Sequence, residues 1–305
     1  MTTLDERPVA ADLPTATLDA YTPPGVITRP GVYDLPEDAY HRDPVPSGSL
    51  SSTGARKLIS SPPAIFDYER RHGQPRKKAW DFGTAAHAMV LGTGAPLVVV
   101  DVKDWTTKAA REQRDAAYAD GAIPLLPHEH QQIKDMAAAL AAHPVASALL
   151  AANSGRPEQS LFWQDKESGI WCRARLDFLP NPENGRLLIA DFKTCRTADP
   201  KTLEKAIEDY GYHQQAAWYL DGANALRLGE DPQFLFIAQE KTPPYLITVF
   251  GIAESGLQIA RELNRKAINT YVECTRTNYW PGYPGDIHYL SIPSWAEQRH
   301  YQEMS

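Results

Sequence analysis

An apolar stretch that ends in an acid and a base is the feature that most limits what this chain can form. Residues 186–194 read RLLIADFKT. The apolar part predicts a buried strand, and the polar part predicts that the strand ends at a site. Because side chains alternate between the faces of a strand, we expect Asp191 and Lys193 to project to one side and Phe192 to the core on the other. A carboxylate beside an ammonium suits phosphodiester hydrolysis, in which oxygen ligands hold a hard cation.

The composition is that of a soluble globular protein, with 305 residues of which 43% are hydrophobic. No apolar run approaches the roughly 20 residues that cross a bilayer. The N-terminus has no signal-peptide pattern, so we expect a cytoplasmic location and no membrane partner. Cys172, Cys195 and Cys274 lie far apart, which argues against a disulfide framework and against a zinc or iron–sulfur site. No phosphate-cradling glycine loop occurs, so no nucleotide cofactor is expected.

The charge distribution matters more than the net charge. A net charge of −7 argues against a protein that coats nucleic acid through bulk positive charge. The densest basic segment covers residues 70–78 and includes Arg76, Lys77 and Lys78. It lies just before another candidate site residue, His87, so a local basic track toward DNA is compatible with the acidic total.

The chain divides into an N-terminal arm and one larger domain. Residues 1–47 contain eight prolines without sustained periodicity, which predicts an irregular arm. Residues 48–305 are predicted to form a single domain, with a helical insert at about 104–152 and an irregular tail at about 278–305. Strands are predicted at 160–164, 170–179, 187–193, 233–239 and 245–251, and helices at 200–224 and 254–275. This order predicts an α/β fold with a central mixed β-sheet flanked by helices.

A second acid, Asp177, lies on the strand before the acid–base pair. Alternation places Arg173, Arg175 and Asp177 on one face of that strand. If the two strands pair, Asp177 and Asp191 meet at one end of the sheet, where two carboxylates repel unless a cation lies between them. The alternative is a surface row of salt bridges between Asp177 and the two arginines.

Further candidates lie on helices and a loop. Gln215 and Tyr219 are four residues apart and share one helical face, although a core tyrosine and a surface glutamine are the commoner arrangement. His87 has small neighbours that permit close approach of other elements; a lone histidine is more often a core residue, but an imidazole would extend an oxygen site toward manganese. Glu158 is a weaker acid candidate, with a loop salt bridge as its alternative.

Four motifs follow one another along the chain: Gly83-Thr-Ala-Ala-His87, Arg175-Leu-Asp177, Asp191-Phe-Lys193 and Gln215-x-x-x-Tyr219. In this order the sequence resembles the PD-(D/E)XK nuclease superfamily, and more closely the RecE-type phage exonucleases (exodeoxyribonuclease VIII) of the RecB-like branch, over about residues 49–295. The resemblance implies a restriction-endonuclease-like core, a DNA substrate and Mg²⁺ or Mn²⁺ as cofactor.

The resemblance also assigns roles to residues. It implies that His87, Asp177 and Asp191 bind the metal, and that Lys193 is the catalytic lysine. Gln215 and Tyr219 match the trailing helical motif of the family. Ser51 and Ser52 fall where some relatives hold the DNA end. Many superfamily members have glutamate where this chain has Asp191, but the RecB-like branch accepts aspartate, and the iron–sulfur members use four cysteines where this chain has three.

By resemblance, the protein degrades linear duplex DNA from the 5′ end and leaves a 3′ single strand for a recombinase or single-strand annealing partner. Relatives form rings around DNA, so we expect a homo-oligomer with basic segments along a central channel. Arg173 and Arg175 are further candidates for DNA contact. Two alternatives are a structure-specific or restriction-like endonuclease and an inactive DNA-binding recombination scaffold.

Overall fold

A mixed seven-stranded β-sheet forms the centre of the computed structural model, which describes residues 25–73, 78–181 and 186–304, without the side chains of 78–81. The predicted α/β class with a central mixed sheet is confirmed. A separate parallel pair, β3 and β4, completes the strands among the described residues. The strands are β1 (Gly31–Tyr33), β2 (Ser49–Ser51), β3 (Leu97–Val99), β4 (Ile123–Leu125), β5 (Gly155–Gln164), β6 (Trp171–Pro180), β7 (Arg186–Cys195), β8 (Glu230–Glu240) and β9 (Ile247–Gly251).

Helices cover both faces of this sheet. Among the described residues they are α1 (Glu37–His41), α2 (Ser52–Ser60), α3 (Pro63–His72), α4 (Lys78–Leu91), α5 (Lys108–Ala119), α6 (Pro127–Ala142), α7 (Pro144–Leu149), α8 (Pro200–Asp209), α9 (Tyr212–Ala225), α10 (Glu254–Thr277) and α11 (Ser294–Met304). None of them combines the length and the apolar composition that a membrane crossing requires.

The order of the strands places the predicted site inside the sheet. The order is β1-β5-β6-β7-β8-β9, and β2 pairs with β6 outside this path. β5, β6 and β7 are successive antiparallel neighbours, whereas β7 and β8 are parallel. Parallel neighbours need a crossover connection, which α8 and α9 provide.

The sheet is buried on both faces, which explains the apolar run in β7. On one face, Leu187 and Ile189 join a core that includes Trp218 of α9. On the other, Ala190 and Phe192 join a second core with α4 and α6. A strand covered on both sides reads as a continuous apolar stretch rather than as an alternation.

The sheet forks between β6 and β7. Among the described residues, these strands are paired at Phe178 and Ala190. Further along the same edge of β6, β2 pairs with Trp171–Arg173, while β5 occupies the opposite edge. Because β2 lies where β7 would otherwise continue, the end of β7 pairs with β8 alone, up to Cys195. Asp177 and Asp191 are the next residues after the paired Phe178 and Ala190, on the side of the fork.

Several predicted boundaries differ from the structure. In the part of the arm that is described, residues 31–33 form a strand antiparallel to β5 and residues 37–41 a helix, so this part is not irregular. The tail contains α11, and the insert contains β4. The helix predicted at 200–224 is two helices, because Gly211 has a left-handed backbone (φ +64°). The division of the chain into arm and domain stays a prediction.

Asp165 ties the β5–β6 turn to α10. Its carboxylate accepts hydrogen bonds from Ser168 N (2.9 Å) and Ser168 Oγ (2.6 Å). It also forms a bidentate pair with Arg265, at 2.9 and 2.8 Å. Burial raises the pKa of Asp165, but the hydrogen bonds from Arg265 and Ser168 outweigh this effect and lower the pKa to about 2.

Asp165→Asn is expected to lower the free energy of unfolding by about 1–3 kcal/mol near neutral pH, because hydrogen bonds to a charged acceptor are lost. A carboxyl group whose pKa is depressed in the folded state stabilises the protein above its unfolded pKa of about 4. This contribution disappears as pH falls from about 4 to about 2. Urea unfolding across this range measures both effects, with Glu112→Gln, an exposed acid on α5, as the control. An equal loss of stability with acid in Asp165→Asn and in the wild type would contradict the assignment.

Candidate active site

The fork brings together most of the residues that the motifs singled out. Strand β6 contributes Asp177, β7 contributes Asp191 and Lys193, and helices contribute His87 (α4) and Gln215 (α9). Glu158 of β5 adjoins the cluster through His87. The contacts divide into two groups, one around each aspartate.

Asp191 is held on both of its oxygens. Gln215 Nε2 donates a hydrogen bond to Asp191 Oδ1 at 2.7 Å, and Lys193 Nζ lies 2.5 Å from Oδ2. Asp191 is only 2% exposed, whereas the side chain of Lys193 is 27% exposed. The prediction that Asp191 and Lys193 share one side of the strand is confirmed, and Phe192 packs in the opposite core.

Asp177 is held by His87 and by the backbone of β7. His87 Nε2 lies 2.9 Å from Asp177 Oδ2. The same oxygen accepts a hydrogen bond from the backbone N–H of Phe192 at 2.8 Å. This N–H lies beyond the paired part of β6 and β7, so the side chain of Asp177 satisfies a backbone donor that the fork leaves without a ladder partner.

Small residues on α4 allow His87 to approach β7. Ala85 and Ala86 are buried and belong to the same core as Phe192. Gly83 also lies near β7, where an added Cβ would make an ordinary contact with Thr194 Oγ1 at 3.7 Å. Close packing of a helix on a strand requires small residues at the contact, and the spacing of this motif supplies them. His87 is therefore carried by a core-facing helix but is not itself sealed in the core.

Burial and opposite charges set the protonation of the cluster. Burial lowers the pKa of His87, but Asp177 and Glu158 outweigh it and raise this pKa to about 10. Burial and the charge of Asp177 raise the pKa of Asp191 to about 6. Burial also acts to raise the pKa of Asp177, but His87 prevails and lowers it. Burial lowers the pKa of Lys193, but the two aspartates outweigh it, so Lys193 remains an ammonium.

The donors fit a hard divalent cation by chemistry. As the side chains lie, no three His, Cys, Asp or Glu residues in the described part of the chain form a group spaced for a metal ion. His87 and Lys193 instead pair with the carboxylates and balance their charge. Asp191 Oδ2 is buried and makes no hydrogen bond of good geometry in spite of its ion pair. Two carboxylates and an imidazole are the ligand types that suit magnesium or manganese.

Tyr219 does not reach this cluster. Its hydroxyl donates to the backbone carbonyl of Arg175 at 2.9 Å, and its ring packs against Phe234. Tyr219 therefore holds α9 against β6, as the alternative of a core tyrosine expected, while Gln215 is buried at the site rather than exposed at the surface.

Arg173 and Arg175 are engaged within the protein, which argues against the predicted DNA contact. Arg173 pairs with Asp43 at 2.6 Å and donates to Ser49 O and Ser49 Oγ. Arg175 pairs with Glu158 at 2.6 Å and donates to Leu35 O. Both side chains are less than a fifth exposed. The salt bridges that the sequence allowed between these arginines and Asp177 are replaced by these contacts, because residues 25–47 cover this face.

The serines lie where a helix begins beside the fork. Ser51 caps α2, and its side chain accepts a hydrogen bond from Gly54 N at 3.1 Å. Ser52 is buried, and its hydroxyl has no hydrogen-bond partner. Arg56, four residues later, was not predicted; its Nε is buried without a partner, whereas its Nη1 donates to Tyr210 O at 2.6 Å. Its spacing from Ser52 was a usable signal.

Most of the basic segment lies outside the residues that the structure describes. Arg76 and Lys77 lie outside the described residues, and Lys78 begins α4 but its side chain is not described. The predicted basic track at these positions therefore stays a prediction.

Comparison with protein families identifies the group to which the chain belongs. Residues 51–293 match a family described as "PDDEXK-like domain of unknown function (DUF3799)". The chain belongs to this family. The predicted PD-(D/E)XK membership is thereby confirmed, and the family supports a nuclease with a divalent metal and a DNA substrate. No curated protein matches the sequence at a significant level.

A solved structure gives the same fold. A protein from Eubacterium rectale, provisionally named an exonuclease, is 13% identical and superposes with a TM-score of 0.59 over 87% of this chain and 98% of its own. At this identity, the likeness shows the fold alone. A second structure, of a protein named SSO0001, is 16% identical over 63% of this chain and 84% of its own, with a TM-score of 0.28, and carries no argument.

Gln215→Ala is expected to weaken Mn²⁺ binding about tenfold, because Asp191 loses the donor that orients its carboxylate. Isothermal titration of the folded variant measures this affinity. Gln214→Ala is the matched control: Gln214 is also buried on α9, but it contacts Asn264. The control should lose stability and keep its affinity. Equal affinities for the two variants would contradict the role of Gln215.

Proposed function

We propose that this protein is a metal-dependent exodeoxyribonuclease that degrades linear duplex DNA from the 5′ end. The observation that carries the proposal is the cluster at the fork. There, Asp191 is held between Gln215 and Lys193, beside an Asp177 held by His87. A buried Asp191, a largely buried Asp177 and a partly exposed lysine from adjoining strands are more than a structural core requires. Perturbed titratable groups of this kind cluster at functional sites.

His87, Asp177 and Asp191 would hold Mg²⁺ or Mn²⁺. When bound, the cation supplies a Lewis acid for a phosphate oxygen and a more acidic water. His87 offers the nitrogen Nε2, which already faces Asp177. Asp177 and Asp191 offer oxygens from the two arms of the fork. The pairing of these carboxylates with His87 and Lys193 supports the proposal that a cation binds here.

Lys193 and Gln215 act on the reacting groups in different ways. The ammonium of Lys193 is close to Asp191 and partly exposed, so it can orient the attacking water and stabilise the charge that develops on the phosphate. Gln215 keeps Asp191 Oδ1 in place from a position buried in α9. Gln215 is thus a positioning residue, and Tyr219 supports the strand that carries Asp177.

The start of α2 is the proposed contact for the DNA backbone. The Ser52 hydroxyl and Arg56 Nε are buried donors without partners, one turn apart on the same helix. Unsatisfied buried donors cost free energy, and a phosphate oxygen would satisfy both. Ser51 shapes this helix start through its cap. Arg76, Lys77 and Lys78 are proposed to extend the contact along the duplex.

Exonuclease activity, 5′ polarity, a ring-shaped homo-oligomer and a recombinase or annealing partner follow from the resemblance to RecE-type enzymes. The name of the Eubacterium rectale protein agrees with exonuclease activity. A ring would also let an acidic chain enclose DNA with its basic segments inside. These finer features and a cytoplasmic location are proposals.

Asp191→Ala is expected to lower the rate of magnesium-dependent DNA degradation by at least about 10³-fold, because the cation loses a ligand and Lys193 loses its partner. Release of acid-soluble nucleotides with Mg²⁺, and with EDTA added, measures this rate. Asp209→Ala on α8 is the control, since Asp209 is an acid that pairs with Lys205 near the surface. Activity that survives Asp191→Ala would refute the site, and an inactive wild type would favour a recombination scaffold.

Linear duplexes labelled separately at each 5′ and 3′ end are expected to lose the 5′ label first. Covalently closed circular DNA should remain intact, because an exonuclease requires an end. Cleavage of the circle would favour the alternative of an endonuclease, and early release of the 3′ label would reverse the polarity. Light scattering of the same preparation, with and without duplex, tests the proposed homo-oligomer.

A further inference from the structure

Glu158 has a backbone conformation that is unusual for its position. It lies within β5, yet its φ is +57°, in the left-handed region that residues other than glycine rarely adopt. It is not at a turn, because residues on both sides of it pair with β6. Strained residues of this kind persist only where their surroundings hold them, and they cluster at functional sites.

Both oxygens of the Glu158 side chain are engaged. Oε1 lies 3.2 Å from His87 Nδ1, and Oε2 lies 2.6 Å from Arg175 Nε. The opposite nitrogen of the same ring, Nε2, faces Asp177 at 2.9 Å. Glu158 and Asp177 therefore hold the His87 ring from its two sides.

The contact to Arg175 anchors the carboxylate to the rest of the fold. Arg175 also donates to Leu35 O at 2.7 Å and to Ser160 Oγ at 3.1 Å. Leu35 is buried in the core formed by the N-terminal segment. A row of contacts thus runs from residues 25–47 through Arg175 and Glu158 to His87.

We propose that Glu158 is the positioning residue of His87. It accepts Nδ1–H and so directs Nε2 toward the carboxylates as the nitrogen that binds a divalent cation. Histidines that bind metals commonly donate their second ring nitrogen to a carboxylate, which fixes the orientation of the ring. This inference rests on the proposed metal site. The left-handed backbone of Glu158 is then explained by the placement of the Glu158 carboxylate between His87 and Arg175.

A direct ligand role is the competing assignment for Glu158, since a carboxylate can bind the cation itself. The geometry favours the indirect role, because both oxygens are already directed at His87 and Arg175. The two assignments differ in one measurable respect. A residue that acts through His87 has no effect on the affinity once His87 is removed, whereas a ligand keeps its effect.

The test is a double-mutant cycle on Mn²⁺ affinity, measured by isothermal titration without DNA. Glu158→Ala is expected to weaken binding about 10- to 100-fold. His87→Ala should weaken it as well, and the double variant should match His87→Ala within about twofold. A further loss in the double variant would overturn the proposal in favour of a direct ligand. Wild-type affinity in Glu158→Ala would overturn it outright.

Two controls separate this proposal from folding defects and from the proposed function. Glu158→Gln keeps an oxygen that accepts Nδ1–H, so it should bind Mn²⁺ more tightly than Glu158→Ala. It serves in the same cycle if the alanine variant does not fold. Glu167→Ala, an exposed acid at the far end of the same hairpin, should leave the affinity unchanged. A wild type that binds no Mn²⁺ would instead refute the metal site itself.

Discussion

Two carboxylates lie at the fork of the sheet, and each is balanced by a positive group. His87 comes from a helix on one face of the sheet to meet Asp177, and Lys193 meets Asp191 from two residues along the same strand. A buried carboxylate without such a partner is costly, so these pairs constrain where α4, β6 and β7 can lie. The charge balance explains the raised pKa of His87 and the lowered pKa of Asp177. In the proposed function, the bound cation shares this balancing role.

The fork itself follows from the order of the strands. Because β2 pairs with the edge of β6 that faces β7, the two long strands separate beyond Phe178 and Ala190. A backbone N–H freed in this way needs another acceptor, and Asp177 provides it to Phe192. The Asp177 carboxylate thus links β6 to β7 at the fork, and it is also a proposed metal ligand. Fold and site depend on the same side chain here.

The N-terminal segment, residues 25–47, packs on the face of β6 that carries Arg173 and Arg175. Residues 25–47 cover the charged face of β6, where Asp43 pairs with Arg173 and Leu35 accepts from Arg175. Both arginines therefore connect this segment to β6. Arg175 also connects it, through Glu158, to His87. Their burial explains why a charged row that resembles a DNA-contacting surface in the sequence is an internal network in the structure.

Local periodicity was enough to predict part of this arrangement. The alternation along residues 186–194 placed Asp191 and Lys193 on one side of a buried strand, and the small residues around His87 indicated a helix that packs closely. The motif order indicated the family. The tertiary structure decided which positively charged side chain pairs with which aspartate, that Glu158 adjoins the site through His87, and that Tyr219 bonds to the backbone of β6 instead. Strand and helix periods are local properties of a sequence, whereas contacts between distant segments depend on strand order and on how helices pack across the sheet.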